Sequence, residues 1–399
     1  MLERTDGATP AVTPEALAER IAAGDDLTVL DVRDRDEFEA WHVDGPGVTA
    51  VQIPHVKFVG ADATGGVPKL VADLAEPIVV VCGEGDASAF VADLLDGHGF
   101  DAANLAGGMD AWARVYTEAP VAGDTATVVQ YRRPASGCLT YLVSDGERAA
   151  VVDPLRAFAD RYVADCEARG WELVAAVDTH VHADHVSGVR AVADRTGADV
   201  VVPAAATERG LDYDRDVRTV DHGDAVAVGD LELSAVRLPG HTTESTGYRV
   251  ERLLLSGDSL FLDGVARPDL EGAAESEGAD ARADADERTR DLAATLYHTL
   301  QERVLDLPDE TRICPGHYAP TTPVRADDTY TATVGELRAR VPTLSLSQGE
   351  FVDRIAGATG SRPANFRRIV ATNLGREDAD DETAFELELG PNNCATTGD

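Results

Sequence analysis

Lysine is almost missing from this chain. Of 399 residues only Lys57 and Lys69 carry it, and 35 basic residues stand against 72 acidic ones. Nucleic-acid binding needs clustered Lys and Arg to neutralise phosphates, so a polyanionic partner is not expected. With a formal net charge of −37 the chain repels itself in dilute buffer. At ~1 M salt the screening length falls to about 3 Å and the repulsion largely disappears, which points to a halophilic cytoplasm. Cysteine is scarce too. Cys82, Cys138, Cys166, Cys314 and Cys394 are odd in number and lack C-x-x-C spacing, which excludes a disulfide framework and predicts reduced thiols. Cys138, Cys166 and Cys314 read as small buried hydrophobes. No apolar run approaches a membrane span, and the opening MLERTDGATP has neither the basic start nor the apolar stretch of a secretory signal. A cytoplasmic protein without a membrane partner is the expectation, and assembly of identical copies is compatible with it.

What is present is a concentration of metal-capable side chains. The segment Thr179 to Gly188 reads THVHADHVSG, and His180, His182, Asp184 and His185 form an H-x-H-x-D-H cluster at the end of an apolar run. His241 in LPGH, Asp258 in LLLSGD and His317 in ICPGH each end a further strand-like run. Imidazoles and carboxylates delivered from separate strand ends suit a borderline or hard cation such as zinc or iron.

The local patterns divide the chain. Thr13-Pro14 opens a helix that stops at Gly24, LTVLDVR and IVVVC read as buried strands, and Ser88 to Asp96 reads as a helix terminated by Gly97. Short strand-helix periods indicate an open parallel sheet. Tyr116 to Asp124 reads as a linker. Beyond it GCLTYLV and AAVVD form a hairpin turning at Asp145-Gly146, and further strands mix with helices. The acidic, Ala-rich stretch Gly272 to Glu287 reads as a solvated insertion, and Ser347-Gln348-Gly349-Glu350 as a capping box. Two domains are expected, residues 8–118 and 125–399.

The run from Thr125 onward resembles the metallo-β-lactamase superfamily at all seven metal-type positions, which implies a four-layer αββα sandwich. Within it, THVHADHVSG, GDSLFLDGVARPDL, NFRRIVATNLG and LELGPNNCA look like persulfide dioxygenase and its relatives. That resemblance implies one Fe(II) held by His180, His241 and Asp258, with His182, Asp184, His185 and His317 around them or holding a second metal. Asp184 is carried over as a catalytic residue, and Arg267 as the holder of a thiol carrier's carboxylate. Thr243 stands where the family usually has Pro, and Ala266 where it has Gly. The earlier segments LDVRDRDEFEAWHVDG, VVVCGEGDAS and NLAGGMDAW resemble a rhodanese domain. In that family the loop of Cys82, Gly83, Gly85 and Ser88 holds a thiolate or persulfide on the cysteine, while Asp31 and Arg33 lock the scaffold. Ala87 replaces a frequent loop arginine, and Glu84 and Asp86 add opposing charge.

The resulting expectation is an α/β and α+β enzyme, a rhodanese-like parallel sheet followed by the αββα sandwich. Its expected substrates are a low-molecular-weight thiol persulfide and oxygen, its products sulfite and free thiol. Cys82 adds a sulfurtransferase function. A dinuclear zinc thiolester hydrolase of glyoxalase II type shares every ligand, and a sulfane-sulfur sensor with a structural metal is the non-enzymatic reading.

Overall fold

The computed structural model describes residues 10–275, 281–358, 360–390 and 395–397. The chain divides into two compact units, Met1–Thr117 with Arg133–Ser136 and Pro320–Pro323, and the remainder.

In the first unit β1 (Ala11–Val12), β2 (Leu27–Asp31), β3 (Val48–Gln52), β4 (Ile78–Val81) and β5 (Ala102–Leu105) lie in the order β1-β5-β4-β2-β3. All pairings are parallel. The runs LTVLD and IVVV are buried along their whole length, as strands covered on both faces must be. Thr13 accepts the Ala16 N–H at 3.2 Å and starts the helix Pro14–Ala22. The helix after Cys82 runs Asp86–Gly97, so it begins at Asp86 rather than Ser88. Gly85, in the left-handed region at φ 102°, turns the chain directly into it. Gly97 is its last residue instead of its stop, and the left-handed turn falls at Gly99.

The second unit holds two larger sheets. One contains β6 (Thr117–Val121), β7 (Thr127–Arg133), β8 (Cys138–Ser144), β9 (Arg148–Val152), β10 (Glu172–Val177), β11 (Asp199–Pro203) and β12 (Arg218–Val220), ordered β12-β11-β10-β9-β8-β7-β6. The stretch Tyr116–Asp124 is therefore not a plain linker. It contains an edge strand, the position where Pro120 costs no ladder hydrogen bond. The other sheet contains β13 (Ala225–Val228), β14 (Leu231–Arg237), β15 (Thr246–Val250) and β16 (Leu253–Gly257). After the short β17 (Gly264–Ala266), it is completed by β18 (Arg312–Pro315) and β19 (Ala332–Thr333), in the order β13-β14-β15-β16-β18-β19. β17 pairs with β20 (Ala395–Thr397).

One apolar core joins the sheets. Val128, Tyr141, Val152 and Val177 of the first share it with Val226, Leu233, Leu255 and Ile313 of the second. Helices Ala159–Arg169 and Val189–Thr196 lie against β10, and Ala281–Thr299 adds Ala293 and Leu296 to the core. This is the αββα layering.

Gly272–Glu287 departs from its reading as a solvated insertion. Leu270–Glu275 and the chain from Ala281 are helical, Gly272 and Ala273 are buried while Asp286 and Glu287 are exposed, and 276–280 lie outside the described residues. Just before the stretch, Glu271 is held inward by Arg209 and Arg288.

The loop of Cys82 is braced by Gly107 and Gly108. Met109 and Asp110 donate their N–H groups to the carbonyls of Cys82 and Gly83 at 2.8 and 3.0 Å. Gly108 has φ 59°, and a Cβ there would fall 2.4 Å from both oxygens. Gly108→Ala is therefore expected to cost about 2 kcal/mol or more, read as a lower urea midpoint at molar potassium chloride. An unchanged midpoint would show that the loop yields at no cost.

Candidate metal centre

The seven metal-type residues are all delivered by strand ends of the second unit. His180, His182, Asp184 and His185 follow β10, His241 follows β14, Asp258 follows β16 and His317 follows β18. β16 and β18 are parallel neighbours with Gly257 opposite Pro315, so Asp258 and His317 emerge side by side. Gly316 permits the close approach, since a Cβ there would meet Asp258 Oδ1 at 2.4 Å. None of the seven is more than 6% exposed.

His180, His241 and Asp258 form one donor group. His241 Nδ1 lies 2.8 Å from the Arg267 carbonyl, which can only accept, so Nδ1 carries the proton. The Thr179 hydroxyl donates to Asp153 Oδ2 at 2.9 Å and therefore accepts from His180 Nδ1 at 2.9 Å. Both histidines thus turn an Nε2 lone pair inward, each 3.8 Å from Asp258 Oδ2. Those three atoms are buried and have no hydrogen-bond partner. Burial depresses the pKa of His180 and His241 and keeps them neutral. Burial opposes charge on Asp258 as well, but His317 outweighs it and holds the carboxyl well below its usual range. Two neutral imidazoles and an anion converging without partners fit a bound divalent cation, because ligands must be deprotonated to bind one. They fit it with sites to spare: two histidines and one carboxylate leave coordination positions open.

Beside this triad lies a second group. His317 donates Nδ1–H to Asp258 Oδ1 at 2.6 Å and Nε2–H to Asp184 Oδ2 at 2.8 Å. Burial works against charge on His317, yet the two carboxylates raise its pKa well above the imidazole range. His185 Nδ1 and Cys138 Sγ reach the same Asp184 oxygen at 3.2 and 3.4 Å. His182 turns away, with Nε2 3.1 Å from Asp153 and 3.8 Å from Asp178. Cys138 reads as a small hydrophobe in the sequence, and Asp153 and Asp178 were not singled out there. The last two could have been, as acids ending the apolar runs AAVV and LVAAV.

A buried brace locks the histidine loops. Arg209 donates to Glu244 Oε1 at 2.7 Å and lies 3.9 Å from Glu271 Oε2. Glu244 accepts the N–H of Val181, between His180 and His182, at 2.9 Å; Glu271 accepts that of Thr243, two residues beyond His241, at 2.6 Å. Arg267 is also buried. Its guanidinium binds Asp269 through two bonds of 2.7 and 3.1 Å and reaches the carbonyls of Gly360 and Ser361. In this structure the Arg267 fork is filled by Asp269, and the Arg267 carbonyl sets His241.

In the first unit Cys82 Sγ accepts from the Gly85 N–H and the Ser88 hydroxyl, both at 3.1 Å, and is 6% exposed. Gly83 carries the turn, while Glu84 and Asp86 face solvent. Asp31 and Arg33 form a tight pair, N to O 2.6 Å, and Arg33 also donates to the Trp41 carbonyl.

Arg209→Leu takes the paired cation from the buried Glu244 carboxylate and leaves Glu271 to Arg288, an expected loss of about 3–5 kcal/mol in urea unfolding. Metal affinity should fall about 10- to 100-fold by competition with a chelator. Adding Glu244→Gln, whose amide oxygen still accepts the Val181 N–H, should recover part of both losses.

A model of the metallo-beta-lactamase superfamily matches residues 133–317, and one of the rhodanese-like domain matches 13–115. The chain is 28% identical over 251 residues to the human mitochondrial persulfide dioxygenase ETHE1, covering 61% of this chain and 86% of the relative. It is 32% identical over 222 residues to a hydroxyacylglutathione hydrolase of Methylobacterium sp. (strain 4-46), covering 49% and 78%. The crystal structure of ETHE1 from Myxococcus xanthus superimposes with a TM-score of 0.50 at 26% identity, covering 62% of this chain and 98% of that one. With the layered fold and its buried donors, these likenesses establish that the chain belongs to the metallo-beta-lactamase superfamily and carries a rhodanese-like domain before the metal-binding one.

Proposed function

We propose that the second unit is a sulfur dioxygenase that converts a low-molecular-weight thiol persulfide, oxygen and water to sulfite and the free thiol, the third sulfite oxygen coming from water. His180, His241 and Asp258 would hold one Fe(II) at its centre. The observation that carries this reading is the binding state of Asp258. Its Oδ2 faces the two histidine lone pairs, while its Oδ1 is engaged by His317 rather than offered to a second metal. A triad of this composition with open positions suits a non-haem iron oxygenase. Bound there, iron would supply the redox chemistry by which the outer sulfur gains the two oxygen atoms of O₂.

The protein's own residues prepare that step. Thr179 and the Arg267 carbonyl fix the tautomers of His180 and His241, and His317 orients Asp258. Hydrogen bonds of this kind set ligand basicity and geometry. Asp184, His185 and His182 complete the shell, with Asp184 taking the far side of His317. In the first unit Cys82, with the Gly85 N–H and Ser88 hydroxyl aimed at its sulfur, is proposed to carry sulfane sulfur to or from the same pool. The likeness to a persulfide dioxygenase favours this assignment. The likeness to a hydroxyacylglutathione hydrolase keeps a dinuclear zinc thiolester hydrolase as the second reading, with Asp184, His185 and His317 on the second ion.

Metal content and oxygen uptake separate the two. Protein purified anaerobically at molar potassium chloride should hold iron at the triad and consume oxygen with a synthetic persulfide, releasing sulfite. Two zinc ions per chain and no persulfide-dependent uptake would overturn the dioxygenase. Cys82→Ser should abolish sulfur transfer to cyanide or sulfite; undiminished transfer removes Cys82 from that chemistry.

A further inference from the structure

We infer that the helices His55–Asp62 and Asp86–Gly97 of the first unit form a self-complementary face on which a second copy of this chain docks about a two-fold axis. The inference goes beyond the proposed function and depends neither on the chemistry of the metal centre nor on transfer at Cys82.

Apolar exposure is concentrated in this one place. Among the described residues the exposed large hydrophobic side chains are Val56, Val59 and Phe90, at 72, 48 and 42%. They stand on two helices in contact, since the rings of His55 and Phe90 pack edge to face with centroids 5.5 Å apart. His55–Asp62 is apolar on two sides. Phe58 is in the core beneath it, while Val56, Val59, Gly60 and Ala63, at the i, i+3, i+4, i+7 spacing of a second stripe, are exposed. A helix apolar all round is one that is covered all round.

Charge sets the same face apart from the rest of the surface. From Gly45 to Ala72 the sole acidic residue is Asp62, whereas the whole chain has 72 acids in 399 residues, more than one in six. Both lysines of the chain lie in this stretch, Lys57 on the helix of the valines and Lys69 on the neighbouring helix Val67–Leu70. On the other helix Asp86, Phe90 and Asp93 share one exposed face at i, i+4, i+7 spacing. Among the described residues none of Lys57, Lys69, Asp86 and Asp93 is in an ion pair, and all four are exposed.

These charges identify the occupant. Two copies of a chain of net charge −37 repel one another, so contact costs least where acids are scarce. The lysine-bearing side and the aspartate-bearing side lie next to each other, and each carries exposed apolar residues. A two-fold axis between them lays the lysines of one copy on the aspartates of the other and the valines on Phe90. That is an isologous contact, in which residue i meets j and j meets i. A foreign acidic partner would gain the lysines but collide with Asp86 and Asp93. Apolar burial supplies the strength of the contact, and the charges set its orientation. Asp86 also opens the helix that follows the Cys82 loop, so docking would place a positive charge on an acid of that loop.

The full chain is followed by sedimentation velocity at molar potassium chloride over a range of concentrations. A monomer–dimer equilibrium is expected, and Val56→Asp combined with Phe90→Asp should weaken it by about 10-fold or more. Gly60→Glu is the second variant. A Cβ at Gly60 meets nothing within 4 Å, so the monomer should keep its urea midpoint while a charge enters the apolar stripe and weakens the dimer. Lys57→Glu with Lys69→Glu, and separately Asp86→Lys with Asp93→Lys, should each associate less than the wild type, whereas an equimolar mixture of the two should associate more tightly than either alone. A wild-type chain that stays monomeric to sub-millimolar concentration overturns the inference and leaves the face to a foreign partner. A dimer unchanged in the folded Gly60→Glu and Val56→Asp/Phe90→Asp variants overturns it too, as does a mixture no tighter than its parts.

Discussion

Three buried donor atoms with no protein partner, two imidazole lone pairs and one carboxylate oxygen, impose the architecture of the second unit. Such atoms repel one another and have surrendered their water, so the fold must hold them against relaxation until a cation joins them. Among the described residues, six of the ten buried polar atoms left unbonded belong to the seven metal-type residues. The scaffold concentrates its unsatisfied polarity in one place, and two sheets and a buried ion network keep it there.

The holding is done by groups that never face the triad. Asp153 ties Thr179 and His182, Arg209 ties the loops after β10 and β14 through two glutamates, and the Arg267 carbonyl sets His241. Each of these contacts fixes a backbone segment or a ring orientation rather than adding a ligand. Precision at the centre comes from strand ends already in register, with charge pairs fastening the loops between them.

The sequence made the ligands legible because four of them sit within six residues and the others each close an apolar run. Periodicity likewise exposed LTVLD, IVVV and the Thr13 cap, features whose physics is local. What it concealed is long-range. Cys138 looked like a small hydrophobe because its neighbours in the chain are apolar, while its neighbours in space are Asp184 and His317, 46 and 179 positions away. Arg267 read as a holder of a substrate carboxylate, while in space Asp269 fills its fork. The strand at Thr117–Val121 was hidden by a proline that only an edge position tolerates.

The parallel pairing of β16 with β18 carries a wider implication. Asp258 and His317 leave adjacent strands at matched heights, yet the chain between them makes an excursion through Leu270–Glu275 and Ala281–Thr299. Because these two ligands are fixed by register, the crossover beyond Glu271 can be lengthened, trimmed or recomposed without shifting either of them, whereas Arg267 and Glu271 must stay to hold His241 and its loop. Descendants of this scaffold could therefore exchange the walls around their substrate while inheriting the inorganic chemistry unchanged.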